Sequence, residues 1–251
     1  MNELQNYCAI QQACENGDTE TLKRLLNDPR VNPSDNNNYA IRWASEYGYT
    51  EIVKLLLNDP RVDPNANNNF SVRWASMNGH TEIVKLLLND PRVDPSANDN
   101  FAIQLVSKWG HTEIVKLLLN DHRVDPSADN NYALRRASDN GHTEVVKLLL
   151  NDSRVDPSAK DSLAIQWASE NSHTEIVRIL LNDPRVDPGS YDNNAVKCTK
   201  SMVIMDMLLE KVHLPISIDI IKYKKYKKFL IRKKYMLKLL STKVYDYSKL
   251  F

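Results

Sequence analysis

Gly79-His80-Thr81-Glu82-Ile83-Val84-Lys85-Leu86-Leu87-Leu88-Asn89-Asp90-Pro91-Arg92-Val93-Asp94-Pro95 returns almost verbatim at Gly110 and Gly141. It returns with small changes at Gly48 and Ser172, and more loosely at Gly17. The small residue ahead of each turn stands at Ala13, Ala44, Ala75, Val106, Ala137 and Ala168, always 31 residues apart. A fixed period in the 20–50 range is the signature of stacked structural units, each burying a face that it cannot bury alone. The chain therefore reads as a solenoid that grows by adding units, not as one enlarging core.

One unit, Tyr39 to Asn69, resolves into four parts. Tyr39 to Tyr47 spans about two helical turns, with Ile41, Ala44 and Ser45 at the spacing of one helix face. Gly48 stops this helix, because glycine accepts the left-handed conformation that follows a helix end. Thr50 is the expected N-cap of a second helix, and Glu51 sits where the helix dipole favours negative charge. Ile52, Val53, Leu55, Leu56 and Leu57 form an apolar face too wide to leave in water. Pro60 ends the second helix, and a turn-rich connection from Arg61 to Asn69 follows.

This unit resembles the ankyrin repeat. The family's Leu-His-Leu-Ala-Ala and Gly-His-x-Glu-Ile-Val-Lys-Leu-Leu-Leu segments are matched by Val72-Arg73-Trp74-Ala75-Ser76 and by Gly79 to Leu88. The resemblance covers roughly residues 5 to 210. It implies an all-α solenoid of six helix-turn-helix-loop units and a degenerate seventh. The Asp-Pro-Arg-Val-Asp-Pro loop and the abundant asparagine are also similar to ankyrin proteins of giant DNA viruses that infect amoebae. AT-rich codons supply the same asparagine. The family's usual Thr-Pro helix opening is replaced by Tyr39-Ala40, Phe70-Ser71, Phe101-Ala102 and Tyr132-Ala133. Capping is then expected from Asn38, Asn69, Asn100 and Asn131. The period is shorter than the usual 33, so the connecting loops are expected to form short hairpin fingers.

Charge divides the chain in two. Residues 211–251 carry a net charge of +10, and residues 1–210 a net of −9. Such asymmetry points to a separate module or interaction tail, giving an array over 1–210 and a basic C-terminal helical segment over 211–251. Ile218 to about Leu240 interleaves Lys with apolar residues. Part of that helix is expected to pack on the last repeat. Three cysteines without a CxxC pair argue for reduced thiols in an intracellular protein. No apolar run approaches the ~18 residues of a membrane span, and Met1-Asn2-Glu3-Leu4 does not open a signal peptide.

No catalytic motif emerges. Gly-x-Ser-x-Gly, His-Glu-x-x-His and phosphate-loop patterns are missing from the sequence. His80, His111, His142 and His173 recur once per unit. Stacked helices lie roughly 8–10 Å apart and zinc ligands about 2 Å from their metal. These histidines therefore read as turn residues with local hydrogen bonds, and the chain as a non-enzyme with no metal and no cofactor.

The informative positions are those where the copies disagree. Helix one ends in Glu46-Tyr47, Met77-Asn78, Lys108-Trp109, Asp139-Asn140 and Glu170-Asn171. The resemblance implies that these positions face a concave surface where ankyrin proteins commonly bind partners. Two explanations compete for the drift: selection for a ligand, or relaxed constraint at exposed sites. Tyr47, Met77, Lys108, Trp109, Arg136 and Asp139 are the partner-binding candidates, because exposed aromatics beside arginine have the composition of an interface hot spot. The reading is a monomeric, non-catalytic scaffold whose curved, mostly acidic surface holds a partner protein, from the host cell if the chain is viral. Two alternatives use the basic tail. One is a tether to nucleic acid or an anionic membrane. The other is recruitment of ubiquitination machinery through Leu214-Pro215-Ile216, which resembles an F-box opening.

Overall fold

A computed structural model describes residues 3–212. The expected basic helix after Lys211, its packing on the last repeat and the Leu214-Pro215 motif lie outside the described residues, save for Lys211 and Val212. Fourteen helices and no strands are found among the described residues. They pair in chain order: α1 (Glu3–Glu15) with α2 (Thr19–Leu26), α3 (Asp35–Tyr47) with α4 (Thr50–Leu57), and α5 (Ala66–Met77) with α6 (Thr81–Leu88). The series continues with α7 (Ala97–Trp109) and α8 (Thr112–Asn120), α9 (Ala128–Asp139) and α10 (Thr143–Leu150), and α11 (Ala159–Glu170) and α12 (Thr174–Leu181). It closes with α13 (Ser190–Cys198) and α14 (Met202–Leu209), so the degenerate seventh unit is a complete helix pair.

An eight-residue helix such as α6 is too short to persist alone in water, and packing must hold it. Ile83, Val84 and Leu87 are fully buried, as are their counterparts in each neighbouring unit. Each such side chain contributes about 1.5–3 kcal/mol by leaving water. First helices of adjacent units pack far more extensively on one another than second helices do. Units whose first helices lie closer together stack into an arc, with the first helices along its inner side.

The connections differ from the hairpin fingers expected of them. Three residues before each first helix adopt left-handed helical dihedrals: Asn36 to Asn38, Asn67 to Asn69, Asn98 to Asn100, Asp129 to Asn131 and Lys160 to Ser162. Asn and Asp enter this region more cheaply than other non-glycine residues, since a short polar side chain bonds locally. The asparagine enrichment thus has a conformational cause. Arg42 holds one such turn closed, with Nε donating to Asn37 O (2.9 Å) and Nη2 to Asn36 O (3.0 Å). Arg73 and Arg135 repeat the bond pair, and Gln104 and Gln166 make a single bond.

Asn38, Asn69, Asn100 and Asn131 are therefore not N-caps. Each side chain instead accepts a hydrogen bond from the next unit, as Asn69 Oδ1 does from the Asp94 amide at 2.8 Å. Thr50 and its equivalents are first helical residues, and the cap position belongs to Tyr49, His80, His111, His142 and His173. The loop arginines form a third ladder. Arg92 grips Asp90 with two nitrogens and donates to Val62 O (2.8 Å) and Leu57 O (2.9 Å) of the preceding unit. That grip holds the Asp90 carboxyl below its usual value, chiefly through the Arg92 side-chain hydrogen bond.

Candidate partner-binding face

The side chains on the inner side of the arc come from the solvent-facing stripe of each first helix. In α3, Ala40, Ile41, Ala44 and Ser45 are buried, which turns Tyr39, Trp43 and Tyr47 to the opposite side. These three rings run along the helix four residues apart. Tyr39 and Trp43 stack with centroids 5.6 Å apart, and Trp43 and Tyr47 lie 4.1 Å apart at a tilt. Phe70 and Trp74 repeat the pair on α5 at 5.2 Å.

Guanidinium groups lie between these rings from one unit to the next. Arg42 lies over Phe70 of the following unit at 5.4 Å, and Arg73 over Phe101 at 5.8 Å. Arg135 lies over Tyr132 at 5.0 Å and Trp167 at 5.6 Å. Such contacts contribute about 0.5–2 kcal/mol each, more where water is excluded. Burial lowers the pKa of Arg73 and Arg135 below the usual arginine range; both keep their charge.

Of the six candidate residues, Tyr47 and Trp109 reach furthest into solvent, each 52% exposed. They occupy one register two units apart, and the equivalent residues Asn78, Asn140 and Asn171 are asparagine. Lys108 folds over the Trp109 ring, its Nζ 5.3 Å from the centroid. Met77 is half-buried on the helix between them. Arg136 is held in place: Nε donates to Tyr132 Oη (2.7 Å) and Nη1 to Asp139 Oδ2 (3.1 Å), and its guanidinium lies over Trp167. Asp139 also accepts from Asn171 Nδ2 at 2.9 Å. Arg136 and Asp139 therefore pair with one another, and the cation over the Trp109 ring is Lys108.

The periodic histidines do not bond locally. His111 Nε2 lies 2.9 Å from Met77 O in the preceding unit, and a carbonyl only accepts, so this nitrogen carries the proton. His80, His142 and His173 make the same bond to Glu46 O, Lys108 O and Asp139 O. They are joints between units. Among the described residues no three His, Cys, Asp or Glu side chains gather as a metal site requires.

The sequence profile described as "Ankyrin repeats (3 copies)" matches residues 1–68 and 72–161, more than half of the chain. The chain belongs to the ankyrin repeat family. The crystal structure of EF0377, an ankyrin repeat protein, is 29% identical with a TM-score of 0.60, covering 69% of this chain and 96% of that one. No curated protein matches significantly. Ankyrin repeats generally mediate protein–protein interaction, and proteins built from them are typically non-enzymatic scaffolds. No helix among the described residues of this ankyrin chain is long and apolar enough to cross a membrane.

Three residue series escaped the sequence reading: the turn-closing Arg42, Arg73 and Arg135, the loop arginines, and the unit-linking asparagines. Their recurrence, interrupted at Gln104, Gln166 and Ser162, was the available signal. It marks conformation and stacking, whereas Tyr47 and Trp109 stand out against it.

Proposed function

We propose that this ankyrin array is a non-catalytic scaffold that acts as a monomer inside a cell and holds a partner protein on its inner face. The reading rests on Tyr47 and Trp109, two half-exposed aromatic rings in one register on the inner helices, at positions that are asparagine in the intervening and following units. Large rigid rings on a pre-formed surface lose little conformational freedom on binding, which is why tryptophan and tyrosine dominate interface hot spots. Inter-unit bonds from histidine, asparagine and arginine hold that surface in shape before a partner arrives. The likeness of the loops to giant-virus ankyrin proteins makes a host protein the natural partner.

Affinity capture with the full chain and with Trp109→Ala, read by mass spectrometry, tests this. The expected result is loss of the captured partner with a melting temperature within a degree or two of the parent. Equal loss of both would assign Trp109 to the fold.

The net charge of +10 over residues 211–251 supports a second reading, in which that segment is a separate module tethering the array to an anionic surface. Removal of residues 215–251 should then abolish binding to anionic vesicles or RNA. Binding that survives the truncation refutes the tether.

A further inference from the structure

We infer that the inner face across α3 to α7 takes an extended acidic segment of a partner protein. The inference rests on the scaffold reading above and names the chemistry of its occupant.

The array over residues 1–210 is acidic, yet the stretches 39–47, 70–77 and 101–109 of its inner helices carry three cations against one acidic residue. Arg42 stands on α3, Arg73 on α5 and Lys108 on α7, three cations on three consecutive inner helices. None of them forms an ion pair among the described residues, and the interactions they do make are with backbone carbonyls and aromatic rings. Glu46 is the one acidic residue in the stretches of these three helices that follow their left-handed turns. Elsewhere cations are neutralised at once: Lys85 by Glu82, Arg92 by Asp90, Arg136 by Asp139. Across α3 to α7 the inner face thus carries a cationic, aromatic strip bordered by acidic turns and loops.

Geometry sets the spacing of the occupant. Neighbouring inner helices lie roughly 8–10 Å apart, and an extended chain advances about 3.3 Å per residue. A strand crossing the helices meets a new one about every third residue. Arg42 and Arg73 share one register, and Lys108 stands about one helical turn further along its helix. A segment that crosses the helices obliquely can therefore bring carboxylates at about every third position to the three cations, while apolar residues contact Tyr47 and Trp109 near the helix ends. Arg42 and Arg73 each use Nε and one terminal nitrogen on the turn carbonyls, which leaves Nη1 of each without a hydrogen-bond partner among the described residues. Fixing a guanidinium in advance reduces the entropy lost when a carboxylate binds it. A single-stranded nucleic acid also favours cations and rings. Its charge on every nucleotide fits poorly here, because Asp35 and Asp99 stand at the turns bordering this strip.

The test is display selection of random peptides on the full chain, counter-selected on Trp109→Ala. It is followed by binding measurements with one selected peptide, its lysine-for-acid counterpart and oligouridylate. The expected result is acid-rich peptides with a spacing near three, bound about tenfold more weakly by Lys108→Glu and unchanged by Lys85→Glu on the outer row. Trp109-dependent peptides that are neutral or basic, or an unchanged affinity for Lys108→Glu, overturn the acidic occupant and leave the scaffold reading standing. Selection that yields no Trp109-dependent peptide also overturns the acidic occupant. Trp109-dependent binding of oligouridylate in place of any peptide overturns both.

Discussion

Replacing Gly79 by alanine tests how one unit is joined to the next. Gly79 ends the turn after α5 with φ +79°, a conformation that costs an L-residue about 1–2 kcal/mol. A Cβ at that position would lie 2.8 Å from Cε1 and 3.0 Å from Nδ1 of His111, whose ring closes over the turn from the following unit. The ring must move, and its 2.9 Å hydrogen bond to Met77 O breaks at a further cost of about 0.5–1.5 kcal/mol. The total is about 1.5–3.5 kcal/mol. In a His111→Ala background only the backbone share remains, so the double mutant should be less destabilised than the two single changes added together. The chain carries its own control. Ser172 occupies the equivalent position at φ +65°, and the seventh unit places Ser201 where its neighbours place the histidine. A side chain is tolerated there because no ring closes over it, and Ser172→Gly should stabilise slightly. Urea unfolding followed by circular dichroism gives the four values. Strict additivity of Gly79→Ala and His111→Ala would show that the ring is not the obstacle.

Three further outcomes are expected. Asn69→Ala, which removes the acceptor of the part-buried Asp94 amide bond, should cost about 0.5–1.5 kcal/mol and speed hydrogen exchange at Asp94; unchanged exchange there refutes the inter-unit bond. Asp28, Asp59, Asp90, Asp121, Asp152 and Asp183 all have lowered carboxyl pKa values, Asp28 to about 2, because an arginine two residues on holds each anion. The unfolded chain takes up these protons first, near pH ~4, so stability is full above that value and falls as pH drops toward the folded values. Asp90→Asn should lower the melting temperature at pH 7 and much less at pH 2.5; an equal loss at both refutes the linkage. Burial raises the Cys14 thiol to about 12, so alkylation at pH 8 should spare it and modify half-buried Cys198, and equal labelling by mass spectrometry would contradict the burial.

The repeat register was fully legible in the sequence. Ile83, Val84 and Leu87 announce a buried face by their spacing, and Gly79 announces a helix stop, because both signals depend on residues only a few positions apart. Asn38 and Thr50 were misread for the complementary reason. Each is a good cap by local preference, but Asn38 bonds to an amide 25 residues on, and Tyr49 rather than Thr50 occupies the cap position. The candidate site was legible in part. Tyr47 and Trp109 stood out as irregularities in a copied background, while the hold of Tyr132, Asp139 and Trp167 on Arg136 is visible only in the folded chain.

Periodicity alone determined that this chain is a solenoid, since a 31-residue unit with one apolar face can be satisfied only by its neighbours. Only the tertiary structure decided where the charges go. A net of −9 over residues 1–210 is a sum, and a sum carries no direction. Stacking docks the loop arginines on carbonyls of the preceding unit, as Arg61 does on Val31 O and Leu26 O, and leaves Arg42, Arg73 and Lys108 on three consecutive inner helices. Contacts between residues some 30 positions apart set that arrangement, and no local pattern encodes them.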